Sequence, residues 1–176
     1  MLMPPEYTLE VMKLSETSGK YSHRYREGLL SAISAGFFLI LAGILFVTTP
    51  NVIEKVTDFF QNLTTVQVPH MAIYLPAPAD PRAYLAIYSM VEQFAMIWGT
   101  FLVAILIARL VVYSPTRKRA QNLGDIVFWF GTTYLIQTLL LDTTKWFEFW
   151  SAIVMLAGVS LITRAIFLAV VRTSHT

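Results

Sequence analysis

The chain has 176 residues, of which 56% are hydrophobic and 14% charged, with a formal net charge of +2 and a mean hydropathy of +0.59. A soluble domain carries roughly a quarter charged residues, so this composition calls for lipid as a second solvent, and so small a charge argues against nucleic-acid binding. Cysteine is absent, which excludes disulfides, thiolate catalysis, cysteine-ligated metal centres and palmitoylation.

In chain order, a polar stretch, Met1 to Glu27, comes first. It lacks the short apolar run and small-residue cleavage site of a secretory signal, and no glycine follows Met1 for myristoylation. Residues 1–28 are therefore expected to form a cytoplasmic segment ahead of a retained transmembrane helix. That helix is predicted over 29–48, LLSAISAGFFLILAGILFVT, an uncharged run of the ~20 residues that a bilayer core requires.

The next connection, 49–82, is expected on the outer side. Thr49-Pro50 reads as a capping residue followed by proline in the first helical turn, which opens a predicted amphipathic helix over 50–63. Val52, Ile53, Val56, Phe59, Phe60 and Leu63 share one face; Asn51, Glu54, Lys55, Asp58, Gln61 and Asn62 share the other. Such a helix lies on the membrane or covers the ends of its spans. Beyond it, Val66–Val68 and Ile73–Leu75 have extended character, and Pro76, Pro78 and Pro81 make a stiff leader into the second span. Asn62-Leu63-Thr64 is an acceptor pattern for N-glycosylation, with Asn62 the candidate residue.

The second span is predicted over 83–112 and carries Glu92 and Arg109. A cytoplasmic loop over 113–123 follows, then a third span over 124–141, its apolar part bracketed by Asp125 and Asp142. The fourth span runs over 146–171, with Glu148 near its start and Arg164 in its last third. The expected fold class is all-α: a single transmembrane domain of four helices in a bundle.

Basic residues set the orientation. Lys13, Lys20, Arg24 and Arg26 precede the first span; Arg117, Lys118 and Arg119 lie between the second and third; Arg164 and Arg172 close the fourth. With four spans these clusters share one side, which predicts a multi-pass protein of the cell membrane with both termini cytoplasmic. Aromatic residues mark the interfaces: Tyr21, Tyr25 and Tyr113 inside, and Trp146, Phe147, Phe149 and Trp150 outside.

Two polar layers stand out. Arg109, Asp125 and Arg164 fall at similar depth near the inner boundary, where an aspartate between two arginines forms an ion-pair set that pins helices in register, or that takes part in conduction or sensing. Glu92 is seventeen positions before Arg109, about 25 Å along a helix. Glu92 and Gln93 therefore meet the depth of Gln137, Thr133 and Ser151 near the outer face, either as an interhelical hydrogen-bond network or as a cation path. Small residues also recur along helix faces, at Ala32, Gly36 and Gly43, at Thr100, Ala104 and Ala108, and at Ser151, Gly158 and Ala165. Such faces let helices approach closely in lipid.

The three histidines, His23, His70 and His175, all lie outside the predicted spans. No haem ligand, metal site or other cofactor is therefore expected, and no nucleotide or hydrolase motif occurs. The expected role is non-enzymatic: a tetraspan protein that works by association, as a homo-oligomer or as an accessory subunit of a membrane complex. The alternative is an oligomeric ion channel or small-solute transporter whose path runs past Glu92, Gln93, Thr133 and Gln137. Partners are then the lipid bilayer and other membrane subunits. Topology alone does not choose between these roles.

Overall fold

The computed structural model describes residues 28–69, 71–111 and 115–173, with Arg172 described in its backbone alone. The N-terminal basic cluster, Tyr21, Tyr25, Tyr113, the last residue of the predicted second span and all three histidines lie outside the described residues. Four helices are long and apolar enough to cross a membrane, which makes the chain a multi-pass membrane protein of predominantly helical fold. In order, the elements are α1 (Gly28–Thr48), α2 (Val52–Gln61), strands β1 (Leu63–Gln67) and β2 (Tyr74–Pro78), α3 (Leu85–Val111) entered through a 3-10 turn (Pro81–Tyr84), α4 (Thr116–Leu135) continued by a π-helical segment (Ile136–Asp142), and α5 (Trp146–Thr173).

The expectation of an all-helical chain is corrected by the two extended stretches, which pair as an antiparallel hairpin with Thr65 opposite Pro76 and Leu63 opposite Pro78. Two prolines fit into β2 because a two-stranded ribbon has an outer edge that needs no N–H donor. The proline-rich leader is thus a strand, and only Pro81 belongs to the entry of α3. There the Asp80 side chain accepts a hydrogen bond from the Arg82 N–H at 3.0 Å. The helix predicted from Pro50 starts two residues later, at Val52, because Asn51 takes a left-handed conformation (φ 56°). Its apolar residues do not share one environment: Val52, Val56 and Phe59 are half-buried, whereas Ile53 and Phe60 are exposed.

The third long helix starts well before Gly124. Thr116 to Leu123, expected in a loop, form its first turns, with Pro115 at the boundary accepting from the Lys118 N–H at 2.9 Å. Arg, Lys, Ala and Gln are good helix formers, so the helix continues past the apolar stretch that hydropathy detects. At its other end the winding widens into the π segment. The Leu139 carbonyl then accepts from the Lys145 N–H, and Thr144 turns the chain with φ 54°. Asp142 is carried as the last residue of that segment.

Helix α4 is the central element: α3 and α5 each pack along it and scarcely touch one another. Glycines set the approach. Gly99 of α3 brings Trp129 and Phe130 of α4 to van der Waals distance, and Gly131 of α4 sits beneath the Leu156 side chain of α5. Near the hairpin, Tyr84, Tyr88, Ile136, Leu140 and Phe149 form one buried cluster. The hairpin and α2 are fixed onto it by aromatic contacts. Phe59 meets Tyr84 edge-on at 5.1 Å, and Trp146 donates from Nε1 to the Pro76 carbonyl at 3.3 Å. Helix α1 joins through rings, with Phe37 stacked on Phe101 at 4.0 Å and Phe38 edge-on to Trp98.

Candidate functional site

Most hydroxyls inside the spans satisfy themselves within their own helix. Ser34, Thr100, Thr133, Ser151 and Thr163 each donate to the carbonyl four residues back, the usual arrangement for Ser and Thr in an apolar helix. Two buried polar side chains reach across helices instead. Asn122 of α4 donates from Nδ2 to the Leu102 carbonyl of α3 at 2.9 Å, and Ser160 of α5 donates from Oγ to the Gly124 carbonyl of α4 at 2.8 Å. These bonds replace water for groups that would be costly to leave unpaired.

Beside them lies the ion pair. Arg164 Nη2 is 2.5 Å from Asp125 Oδ1, with the two side chains 31% and 34% exposed. The pairing follows from helix geometry: Ser160 and Arg164 are one turn apart on α5, and Gly124 and Asp125 are adjacent on α4, so the α5 pair closes over the α4 pair. Gly124 is needed there. A Cβ at this position would run into Cγ, Cδ and Nε of Arg164. Arg109, expected to flank the aspartate on its other side, donates from Nη1 to the Lys118 carbonyl at 2.9 Å. The two arginines thus reach α4 at different levels, Arg109 at Lys118 and Arg164 at Asp125 seven residues along, about 10 Å, as one arginine–carbonyl bond and one ion pair. Lys118, Asn122, Gly124 and Asp125 together make α4 a polar seam to which α3 and α5 are tied.

The second layer forms no hydrogen bond between helices among the described residues. Gln93 is two positions before buried Ala95, about 160° around the helix, so it leaves the opposite face of α3; its Nε2 lies 3.3 Å from Ser89 Oγ on the same helix. Gln137 is exposed, Thr133 and Ser151 bond their own helices, and Glu92 is half-buried at the edge of the packed face. At this depth the spans are held by the apolar cluster of Tyr88, Ile136, Leu140 and Phe149 instead. Asn62 caps the end of α2, exposed, with its side-chain amide donating to the Asp58 carbonyl at 2.9 Å.

Asn122 and Ser160, the interhelical ties, were not singled out from the sequence. Their signal was proximity: Asn122 lies three residues before Asp125, and Ser160 four before Arg164. Among the described residues no three His, Asp or Glu side chains gather in a way that would hold a metal ion. The seam contains no nucleophile paired with a base, and its chemistry is that of a clamp between helices. No family model, curated protein or solved structure matches the chain.

Proposed function

We propose that the protein is a non-enzymatic tetraspan membrane protein that works by association with other membrane helices, either copies of itself or subunits of a larger complex. The observation that carries this is the division of its glycines. Gly99, Gly124 and Gly131 are used up inside the chain, each beneath a side chain of a neighbouring helix, whereas a Cβ added at Gly36, Gly43 or Gly158 would meet nothing within 4 Å. On α1, buried Leu41 is five positions after Gly36, about 140° around the helix. The Ala32–Gly36–Gly43 face thus points away from the rest of the chain. On α5, Ser151, Gly158 and Ala165 similarly lie opposite Phe149 and Ser160, which are buried.

A small-residue face is where helices in lipid gain close packing; a face meant only for lipid has no need of it. In this proposal the four helices form a bundle, α2 rests at the membrane surface with Ile53 and Phe60 turned toward it, and the hairpin is extracytoplasmic. Single cysteines at Ala32 and Ala165, with Ile107 of α3 as a lipid-facing control, test the proposal by oxidative cross-linking in native membranes. The expected result is a discrete adduct from Ala32 or Ala165, with the adduct mass distinguishing a copy of the chain from another subunit. Gly36→Ile should abolish the Ala32 adduct without changing thermal stability. Equal, diffuse cross-linking at all three positions would rule the proposal out.

A further inference from the structure

Pairing within the β1–β2 hairpin has a definite phase. The Val68 N–H donates to the Ile73 carbonyl at 2.9 Å, and the Ala79 N–H to the Asn62 carbonyl at 3.4 Å. Both bonds continue the register that sets Thr64 opposite Ala77 and Val66 opposite Leu75. In an antiparallel ladder, facing pairs alternate between exchanging hydrogen bonds and turning their N–H and C=O groups outward. Thr64 and Val66 therefore bond β2, whereas Leu63, Thr65 and Gln67 turn their backbone groups to the outer edge of β1. Pro76 and Pro78, which lack an N–H, stand opposite Thr65 and Leu63, as this phase requires.

The two outer edges differ. On β2 the prolines offer no donor, and the Pro76 carbonyl is taken by Trp146 Nε1, so this edge is closed and turned toward the start of α5. On β1 the outward backbone groups of Leu63, Thr65 and Gln67 have no hydrogen bond among the described residues, and Thr64 to Gln67 are exposed. Free edges are ordinarily guarded by charge or proline. This one has neither, and no Asp, Glu, Lys or Arg occurs from Leu63 to Ala79. The ribbon is also two-sided. Val66, Ile73 and Leu75, which are 37%, 54% and 46% exposed, share one face, while Thr65, Gln67 and Tyr74 share the other.

We infer that the open edge of β1 pairs with β1 of a second copy of the chain, antiparallel and centred on Thr65. This pairing deepens the proposed association, on which it rests, by making the partner a second copy. Thr65 then faces Thr65 of the other copy and Leu63 faces its Gln67, so all three outward N–H groups and all three outward carbonyls of each edge are matched. The contact is isologous and closes as a dimer. Thr opposite Thr is a favourable cross-strand pair, whereas a charge at the centre of the edge would meet its own like. The apolar face sets the orientation. The ribbon is tied to the first residues of two membrane spans, and with Val66, Ile73 and Leu75 laid on the lipid it is flat on the membrane. The two-fold axis of the strand pair, perpendicular to the ribbon, then stands along the membrane normal, the axis that relates two copies inserted in the same direction.

In the paired edge Thr64 sits opposite Val66 of the other copy at a non-hydrogen-bonded position, where Cα atoms are about 4.5 Å apart, within reach of a disulfide. The two copies of Thr64 are two residues out of step and beyond that reach. Thr64→Cys and Val66→Cys chains carrying different tags are co-expressed and oxidised in native membranes. A disulfide joining the two tags is expected, and neither variant alone should form one. Thr65→Pro removes the central donor from the outer edge and, like Pro76, no bond between β1 and β2. Thr65→Lys leaves the backbone intact and sets two like charges face to face. Either change, introduced into both chains, should abolish the mixed disulfide while helix content by circular dichroism stays that of the parent. Absence of the mixed disulfide would overturn the strand pairing, as would disulfides formed equally by either variant alone, or a mixed disulfide that survives both Thr65 changes. Cross-linking at Ala32 or Ala165 that persists without it would remove the strand pairing alone and leave association between the spans standing.

Discussion

Arg164 crosses from α5 to α4 with its stem lying over Gly124 and its guanidinium bonded to Asp125, so one side chain fills the space of a missing Cβ and neutralises the next residue along. Position and charge are coupled. Arg164 reaches Asp125 because Gly124 leaves room, and each of the two residues has a separate, measurable consequence.

Asp125→Asn keeps the shape and removes the charge. Arg164 then loses its charge-assisted partner near the end of a membrane helix, where its own charge is poorly solvated. With both groups about a third exposed, the loss should be about 1.5–3 kcal/mol, below that of a fully buried pair. Thermal unfolding in detergent and in lipid nanodiscs should show a lower midpoint for Asp125→Asn, and Asp125→Asn combined with Arg164→Met should recover part of it. A parent-like midpoint for the single variant would mean that the pair contributes nothing.

Gly124→Ala is expected to change stability in the direction opposite to the usual helix effect. Alanine in place of a helical glycine ordinarily stabilises by about 0.5–1 kcal/mol. Here the new methyl group meets the Arg164 stem, which cannot swing aside without giving up Asp125, and overpacking of this kind costs about 1–3 kcal/mol. Gly36→Ala, where nothing lies within 4 Å of the added atom, should show no such penalty. Thermal midpoints of the two variants, and of Gly124→Ala in an Arg164→Ala background where the penalty should largely vanish, measure what this contact contributes.

Glu92→Gln separates association from conduction. Glu92, Gln93, Thr133 and Gln137 share no hydrogen bond across helices, and in the association proposal removal of the Glu92 charge should leave oligomer size, folding and ion permeability of reconstituted liposomes like those of the parent. A parent protein that conducts cations, with a flux that collapses in Glu92→Gln, would replace the association proposal with a channel formed between chains.

Topology is read by single cysteines and an impermeant thiol reagent on intact cells. A cysteine at Thr65, exposed on β1, should label. Cysteines at Thr116, at the start of α4, and at Ser22 and Ser174, which lie outside the described residues, should be protected. Labelling at Thr116 from outside would overturn an arrangement with both termini cytoplasmic.

Sequence by itself determined the number of membrane helices, because a run of ~20 apolar residues has few other places to go. It also led to the expectation that Arg109, Asp125 and Arg164 fall at similar depth, since rise per residue is fixed along a helix. It did not determine which of them pair. That depends on the rotation of α5 against α4, decided when Ser160 bonds the Gly124 carbonyl and Arg164 occupies the space above Gly124. Local hydropathy also placed the start of the third helix at the lipid boundary, whereas the backbone keeps winding through Arg117, Lys118 and Arg119 toward Pro115, because hydrogen-bonded helix does not end where lipid does. The hairpin was legible only as two extended stretches, since pairing between Leu63–Gln67 and Tyr74–Pro78 is a non-local choice.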